Sequence, residues 1–407
     1  SIIVLITIIC IHIFTIFVLS KNNINHFFNM SKNKSKRGIL FPPAVGYNLG
    51  ILVSFIINHK ISLRYVPRTI MIFIINFINL PFRIYERLFI NPKYKRAKIE
   101  EPPIFIIGHW RSGTTYLHSL LSKDSKFGYV STYQSVFPDT LFVTLGRMLF
   151  KGFTTLLIPG RRPGDNVSLH PSYPQEEEFA LGVKTPLCFY YMWMFPRVIR
   201  DFYNTSIRFN NVDASMLKDW EQDYKLLINK ALKNTGGNIY LSKNPPNTGR
   251  IKQLKKMFPN AKFIHIHRNP IDVYMSTKNF YKRMMPHLQL QSISEEEIVN
   301  SIIDIYKNTM QDFIACRNEI SSDNLIEVSY ADLEKKPMEL IEKIYESFEI
   351  EGFKNAKPVF KDFIKGMGVY KKNKHYISDE LLKRITSEFG FAMKEYGYNI
   401  PDNLETF

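Results

Sequence analysis

Cysteine is scarce: Cys10, Cys188 and Cys316 are the whole complement of a 407-residue chain. None sits in a CxxC pair or beside a histidine at zinc-ligand spacing. This excludes a disulfide framework and a structural zinc module, and it suits a reducing compartment. Long Lys/Arg runs are also missing, although 54 Lys+Arg against 37 Asp+Glu leave a net charge of +17. The usual signature of a nucleic-acid-binding arm is therefore absent. No unit of 20–50 residues recurs, so a solenoid or propeller is excluded. A mean hydropathy of −0.15 is too polar for a polytopic membrane protein. A hydrophobic content of 45% is too high for a disordered chain. What is present is enough chain for one large domain with appendages, or for two domains. It also carries a basic excess that could serve nucleic acid, a membrane surface or a small anion. Part of that excess reads as compositional bias, because Lys recurs with Ile, Asn, Phe and Tyr throughout.

The first 100 residues carry apolar and basic segments. Ile2 to Leu19 is apolar except for Thr7, His12 and Thr15. As a helix that stretch reaches roughly 27 Å, enough for a bilayer core. Lys21, Lys32, Lys34, Lys36 and Arg37 follow it and would keep the remainder in the cytoplasm. The first methionine is Met30, so residues 1–29 read either as a membrane anchor or as an extension outside the mature protein. Residues 30–100 read as a helical, basic region, and 101–407 as the main domain. Ile70 to Leu80, flanked by Arg68 and Arg83, is short for a span and predicts a buried or interfacial helix. Arg83, Arg87, Lys93, Lys95, Arg96 and Lys98 stand against Glu86 alone. That cluster is either a solvated linker or a surface for anionic lipid.

Chemistry begins at Pro103. Ile104 to Ile107 predicts a strand that ends in Gly108-His-Trp-Arg111-Ser112-Gly113-Thr114-Thr115, and Leu117, Leu120 and Leu121 then fall on one helical face. Strand, tight loop and helix N-terminus make a phosphate cradle, in which backbone N–H groups and the helix dipole face the anion. Gly113 allows close approach, and Ser112, Thr114 and Thr115 add hydroxyls. Gly108 and Gly113 have the spacing of the ATP-binding loop GxxxxGK[ST], but Thr114 stands where that loop has Lys. The ammonium that reaches a γ-phosphate is missing. A P-loop kinase or NTPase-like nucleotide-binding protein is therefore the alternative reading and not the first. A second element follows in Phe263 to His267, Arg268, Asn269, Pro270 and Ser276. Arg268 at a strand end and Ser276 two turns into the next helix could grip one phosphate.

Together, Arg111-Ser-Gly-Thr-Thr and Arg268-Asn-Pro…Ser276 resemble the two signature elements of the sulfotransferases that use 3′-phosphoadenosine 5′-phosphosulfate (PAPS). The resemblance is to the bacterial and lower-eukaryote branch with a GHxRSGTTxLH loop. It implies a P-loop-like three-layer α/β fold with a mostly parallel central sheet flanked by helices. The alternation of short strands and helices after residue 101 predicts the same class. It also implies PAPS as co-substrate; no metal is expected, because Arg111, Lys243 and Arg268 can supply the charge, nor any nucleic acid, and the hydrophobic N-terminal segments with the basic cluster favour a hydroxylated carbohydrate or lipid acceptor. Arg111 would contact the sulfuryl and bridging oxygens. Ser112, Gly113, Thr114 and Thr115 would cradle the 5′-phosphate, and Arg268 and Ser276 would clamp the 3′-phosphate.

Lys243 matches the lysine of the family's Lys-Thr-His triplet, but Pro245 stands where its catalytic histidine would be. The general base is therefore sought elsewhere. His170-Pro-Ser-Tyr-Pro-Gln-Glu176-Glu177-Glu178 carries three adjacent carboxylates whose mutual repulsion could raise a pKa. An acidic first turn favoured by the helix dipole explains the same residues. Glu176 is the preferred base, ahead of Glu178, with His170 as the fallback. The late basic segment Tyr370 to His375 offers Lys372 and Asn373 as further 3′-phosphate contacts.

Overall fold

Ile104 to Ile107 puts four large apolar side chains in a row, and all four are buried. A strand apolar on both faces belongs in the middle of a parallel sheet covered on both sides. It is strand β1 here. Phe127–Gly128 forms β2, Ile239–Lys243 β3, Lys262–His267 β4 and Leu325–Ser329 β5. The five strands make one sheet in the order β2-β3-β1-β4-β5, and every pairing is parallel. Ile106 lies opposite Lys243 on one side and Ile264 on the other. The carboxyl ends of β3, β1 and β4 therefore finish side by side. The connection from β1 runs to the β2 side and that from its neighbour β4 to the β5 side, and ligand crevices form at such a switch point.

The computed structural model describes residues 43–162, 167–366, 375–402 and 404–406. The apolar segment 1–29, the basic residues up to Arg37, and the candidates Lys372 and Asn373 lie outside the described residues.

Helix α1 is Leu49–His59 and α2 is Val66–Tyr85. A π turn over Glu86–Ile90 carries α2 into a last helical turn, Asn91–Lys95. The Ile70 to Leu80 stretch is thus the middle of a longer helix. After β1 come α3 (Thr114–Leu121), α4 (Thr144–Leu157), α5 (Glu177–Lys184) and α6 (Ala214–Thr235). Helix α7 (Pro270–Leu288) begins where Asn269 caps the backbone N–H of Ile271 and Pro270 takes the first helical position. Helix α8 (Glu295–Cys316) begins with a capping box between Ser294 and Glu297. Helix α9 (Asp379–Tyr396) closes the domain.

The side chains of β1 alternate between two layers, as strand geometry requires. Ile104 and Ile106 pack with Leu117, Leu120 and Leu121 of α3. Phe105 and Ile107 pack with Tyr224, Leu227 and Ile228 of α6. The helix that starts at the phosphate loop is therefore clamped onto one face of the strand that ends there.

Candidate active site

The loop after β1 owes its shape to two glycines. Gly108 has φ +136°, and a Cβ there would stand 2.3 Å from the carbonyl oxygen of Ile266 on β4. Gly113 has φ +98°, and a Cβ there would meet the Tyr330 ring at 2.4 Å. Both positions need a bare backbone. Between them Arg111 takes φ +72°, which is uncommon for a side-chain-bearing residue. Such backbone persists where the surroundings enforce it, and functional sites are enriched in it. Gly113 caps α3, so the helix's free N–H groups open at the loop.

Arg111 joins the two sequence elements. Its Nε donates to Ser276 Oγ at 3.0 Å, and its carbonyl accepts from Arg268 Nη1 at 3.3 Å. The Arg268 guanidinium lies over the Tyr330 ring at 4.6 Å, and its buried Nε has no hydrogen-bond partner. The nearest carboxylate, Asp272, is 3.7 Å from that Nε. An orphaned guanidinium donor beside a helix N-terminus suits an anion.

Behind the loop lies a cavity of about 160 Å³. Arg111, Thr114, Thr115, Arg162, Gln175 and Glu176 line its polar part. Val45, Phe137, Ile158, Phe179, Trp193, Met284 and Leu288 form most of its apolar wall, with Thr132, Ser135 and Thr154 among them. Pro245 also faces it.

The three glutamates diverge. Glu176, the residue just before α5, turns into the cavity. One of its carboxylate oxygens takes Lys243 Nζ and the other takes the hydroxyl of Tyr190. Trp110 Nε1 in turn donates to Tyr190 Oη at 2.9 Å. Burial lowers the Lys243 pKa and the charge of Glu176 opposes that. Burial raises Tyr190 well above its usual value, with Glu176 adding to the rise. Tyr190 is thus a neutral donor that orients the carboxylate. Two of the four acceptor positions of Glu176 are occupied, which leaves capacity toward the cavity.

Glu178 corrects the sequence expectation. It is fully buried away from the cavity, where Arg250 Nη1 and Nη2 bind it at 2.6 and 2.8 Å. Asn244 Nδ2 and the Phe189 backbone N–H bind it as well, at 2.8 and 2.6 Å. A carboxylate so surrounded is a structural anchor and not a base. Glu177 is also inward, held by Tyr224 and Ser242, and burial raises its pKa. Repulsion among the three is a minor influence, because helical geometry aims each at different partners. His170 is corrected too. It is exposed, its Nδ1 pairs with Ser172 Oγ at 2.6 Å, and it does not line the cavity.

The sequence reading missed three features. Arg162 lies 5.3 Å over the Phe280 ring, which Arg111 also approaches at 5.2 Å. Its charge reaches Lys243 and lowers that pKa further. Tyr190 had no motif to mark it. Thr248 Oγ1 accepts the Gly108 N–H at 2.8 Å and so occupies the first amide of the loop.

Comparison with known proteins places the chain among sulfotransferases. Over 367 residues the chain is 25% identical to the omega-hydroxy-beta-dihydromenaquinone-9 sulfotransferase Stf3 of Mycobacterium bovis, covering 88% of this chain and 92% of that protein. The same values hold for the Stf3 of Mycobacterium tuberculosis. Among solved structures, sulfotransferase STF9 from Mycobacterium avium superposes with a TM-score of 0.61 at 16% identity, covering 78% of this chain and 82% of that one. STF1 from Mycobacterium tuberculosis gives 0.60 at 16% identity, covering 84% and 90%. These two show a shared fold. The pattern that defines the sulfotransferase family matches residues 102–355, from the start of β1 to beyond β5, and the chain belongs to that family.

Proposed function

We propose that this sulfotransferase moves the sulfuryl group of PAPS to a hydroxyl of a lipid-like acceptor, with Glu176 as the general base. The observation that carries the reading is the cavity. It joins the phosphate loop to a mostly apolar chamber, with Glu176 at the junction. A carbohydrate acceptor would call for polar side chains along that chamber, and an apolar lining suits a lipid tail. The Mycobacterium relatives are named for a hydroxylated menaquinone derivative, which is lipid-like and supports the same choice.

The donor fits the residues present. It carries two separated phosphates, and the site has two anion-binding elements. The loop with the α3 N-terminus would take the 5′-phosphosulfate, and Arg268 with Ser276 the 3′-phosphate. Binding would draw Ser276 from Arg111 and give the orphaned Arg268 Nε a partner. In the transfer, the acceptor hydroxyl proton passes to the Glu176 carboxylate as its oxygen bonds to sulfur. The bond from sulfur to the phosphate oxygen breaks, and that oxygen gains negative charge. The transition state is loose, so cations aimed at the developing charge supply most of the catalysis. Arg111, Arg162 and Lys243 are the candidates.

The test is release of 3′-phosphoadenosine 5′-phosphate from PAPS, with hydroxylated prenyl-type lipids compared with oligosaccharides. Turnover with the lipids is expected. No binding of that nucleotide by calorimetry, or binding unaffected by Arg268→Ala, overturns the donor assignment. Turnover with sugars alone overturns the acceptor class.

A further inference from the structure

Helix α2 and its continuation keep their polar residues on the buried side. The face packed on the domain carries Asn76, Asn79, Arg83 and Glu86 beside Ile72, Ile75 and Phe82, all buried. Asn76 Nδ2 donates to the Ala44 carbonyl at 3.1 Å, and Asn79 Oδ1 accepts from Thr140 Oγ1 at 2.7 Å. Arg83 Nη1 donates to the Tyr47 carbonyl at 2.9 Å. Glu86 takes the Phe142 N–H at 2.9 Å and pairs with Lys230 at 2.5 Å. The opposite face is apolar. Ile70, Ile74, Phe77, Ile84 and Leu88 recur at i, i+4, i+7, i+14 and i+18, and Phe89 adjoins them. All are exposed among the described residues, Phe77 at 59%, Leu88 at 62% and Phe89 at 69%. A helix facing water exposes polar residues instead, and a continuous apolar stripe of this kind marks an interaction surface.

Charge identifies the partner. Between Leu49 and Lys98 the one acidic residue is Glu86, which is neutralised inside by Lys230. Exposed cations flank both ends of the stripe: Lys60 and Arg64 before it, Lys93, Lys95, Arg96 and Lys98 after it. Apolar residues between two basic ends match the acyl boundary and the anionic headgroups of a bilayer. The 33-residue run from Leu63 to Lys95 is long and apolar enough to cross a membrane. Its inward face, however, is fastened to the domain by the buried polar contacts, and a crossing would break every one of them. The geometry points to a helix lying along the interface.

The stripe is also linked to the cavity. Helix α4 packs Phe150 against Phe82 of α2, with ring centroids 6.0 Å apart. On its outer side it exposes Met148, and at its far end Thr154 and then Ile158 line the cavity. One helix thus connects the outer apolar surface with the apolar chamber.

We propose that the α2 face is the docking surface of this enzyme for an anionic lipid bilayer, and that the acceptor enters the cavity from that bilayer along α4. The docking rests on the face itself. The entry route rests on the lipid-acceptor reading above.

The experiment is flotation of the full chain with vesicles of phosphatidylcholine alone and with added phosphatidylglycerol, for the wild type and for Phe77→Glu/Phe89→Glu. The wild type is expected to float with the anionic vesicles, and the double variant to lose at least tenfold of the bound fraction. Its affinity for 3′-phosphoadenosine 5′-phosphate should stay within about twofold, because the site is untouched. A Phe77→Ser/Phe89→Ser variant gives the same comparison without added charge if the first misfolds. Three results overturn the proposal. The wild type fails to float. The double variant floats like the wild type, which would assign binding to another segment such as residues 2–19. The wild type sediments as a dimer that the variant splits, with flotation unchanged, which would make the face a contact between copies. Failure of the acceptor reading is separate, since a chain that floats yet sulfates no lipid keeps the docking surface and loses the route.

Discussion

Lys243 at the end of β3 and Glu176 at the entry of α5 form a buried ion pair, with Glu176 lining the cavity. Both residues are active-site candidates, and here each is the other's counter-ion. Neutralising either one strands the other in a low-dielectric pocket. The pair also couples their work. Under the proposed mechanism, the ammonium that steadies the Glu176 carboxylate would also serve the leaving oxygen as it gains charge.

Glu176→Gln keeps the shape of the carboxylate and removes its basicity. The expected result is a fall in kcat of roughly 100- to 10,000-fold, the usual contribution of a positioned general base. The dissociation constant of 3′-phosphoadenosine 5′-phosphate, measured by calorimetry, should hardly move. Full turnover in this variant would place the base elsewhere.

Glu178→Gln separates anchor from base. It breaks the two-pronged pair with Arg250 and leaves that guanidinium unpaired in the core. A loss of about 3–5 kcal/mol of stability is expected from breaking one side of a buried pair. Urea unfolding measures it. The kcat of the molecules that remain folded should stay close to that of the wild type.

Arg162→Met tests the cation that no motif revealed. If Arg162 faces the sulfuryl group, kcat/KM for PAPS should fall by roughly 100- to 1,000-fold, as when a single transition-state donor is removed. Binding of the product nucleotide, which lacks the sulfuryl group, should be unchanged. Equal losses in both would make Arg162 a general nucleotide contact.

Arg268→Ala should weaken nucleotide binding itself. A hydrogen bond to a charged group is worth about 1.5–3 kcal/mol, which is on the order of a 10- to 150-fold loss in affinity. Comparison with 5′-phosphoadenosine lacking the 3′-phosphate localises the effect. That ligand should bind wild type and variant alike.

Stability should fall as the solution is acidified. Burial holds His109 down to about 4, against about 6.5 in an unfolded chain. Between those values the unfolded state takes up a proton that the folded state refuses. The stability is therefore fully present above about pH 6.5 and is lost progressively toward pH 4. For His109 alone the loss is on the order of 3 kcal/mol across that window. Thermal unfolding at pH 7 and pH 4.5 measures it, and His109→Gln should flatten the slope. An equal slope in both chains would show that His109 does not titrate in this way.

The anion-binding half of the site was legible in the sequence because it is built from local signals. The β1 run, the Gly108 and Gly113 spacing and the leucines of α3 lie within a score of residues, and β4 with Arg268, Pro270 and Ser276 repeats the pattern. Strand ends in a parallel sheet gather at one edge, so Arg111, Lys243 and Arg268 converge once the strands are recognised. The base was legible only as a group of three. Successive residues at a helix start point in directions about 100° apart, and the sequence alone does not say which direction is inward.

That choice was made by tertiary contacts. Arg250 claims Glu178, Tyr224 and Ser242 claim Glu177, and Tyr190 with Lys243 turns Glu176 to the cavity. The chamber itself had no linear signature, since its walls run from Val45 to Leu288. The same holds for the outer face of α2. Its composition read as apolar and basic, but only packing shows that Asn76, Asn79, Arg83 and Glu86 face inward while Ile70, Ile74, Phe77, Ile84 and Leu88 face outward. By itself the sequence determined the family and the candidate anion-binding elements, through short-range backbone and charge patterns. Only the tertiary structure shows which glutamate faces the cavity, that Arg162 lines it beside Arg111, and that most of its wall is apolar, because each depends on side chains brought together from distant parts of the chain.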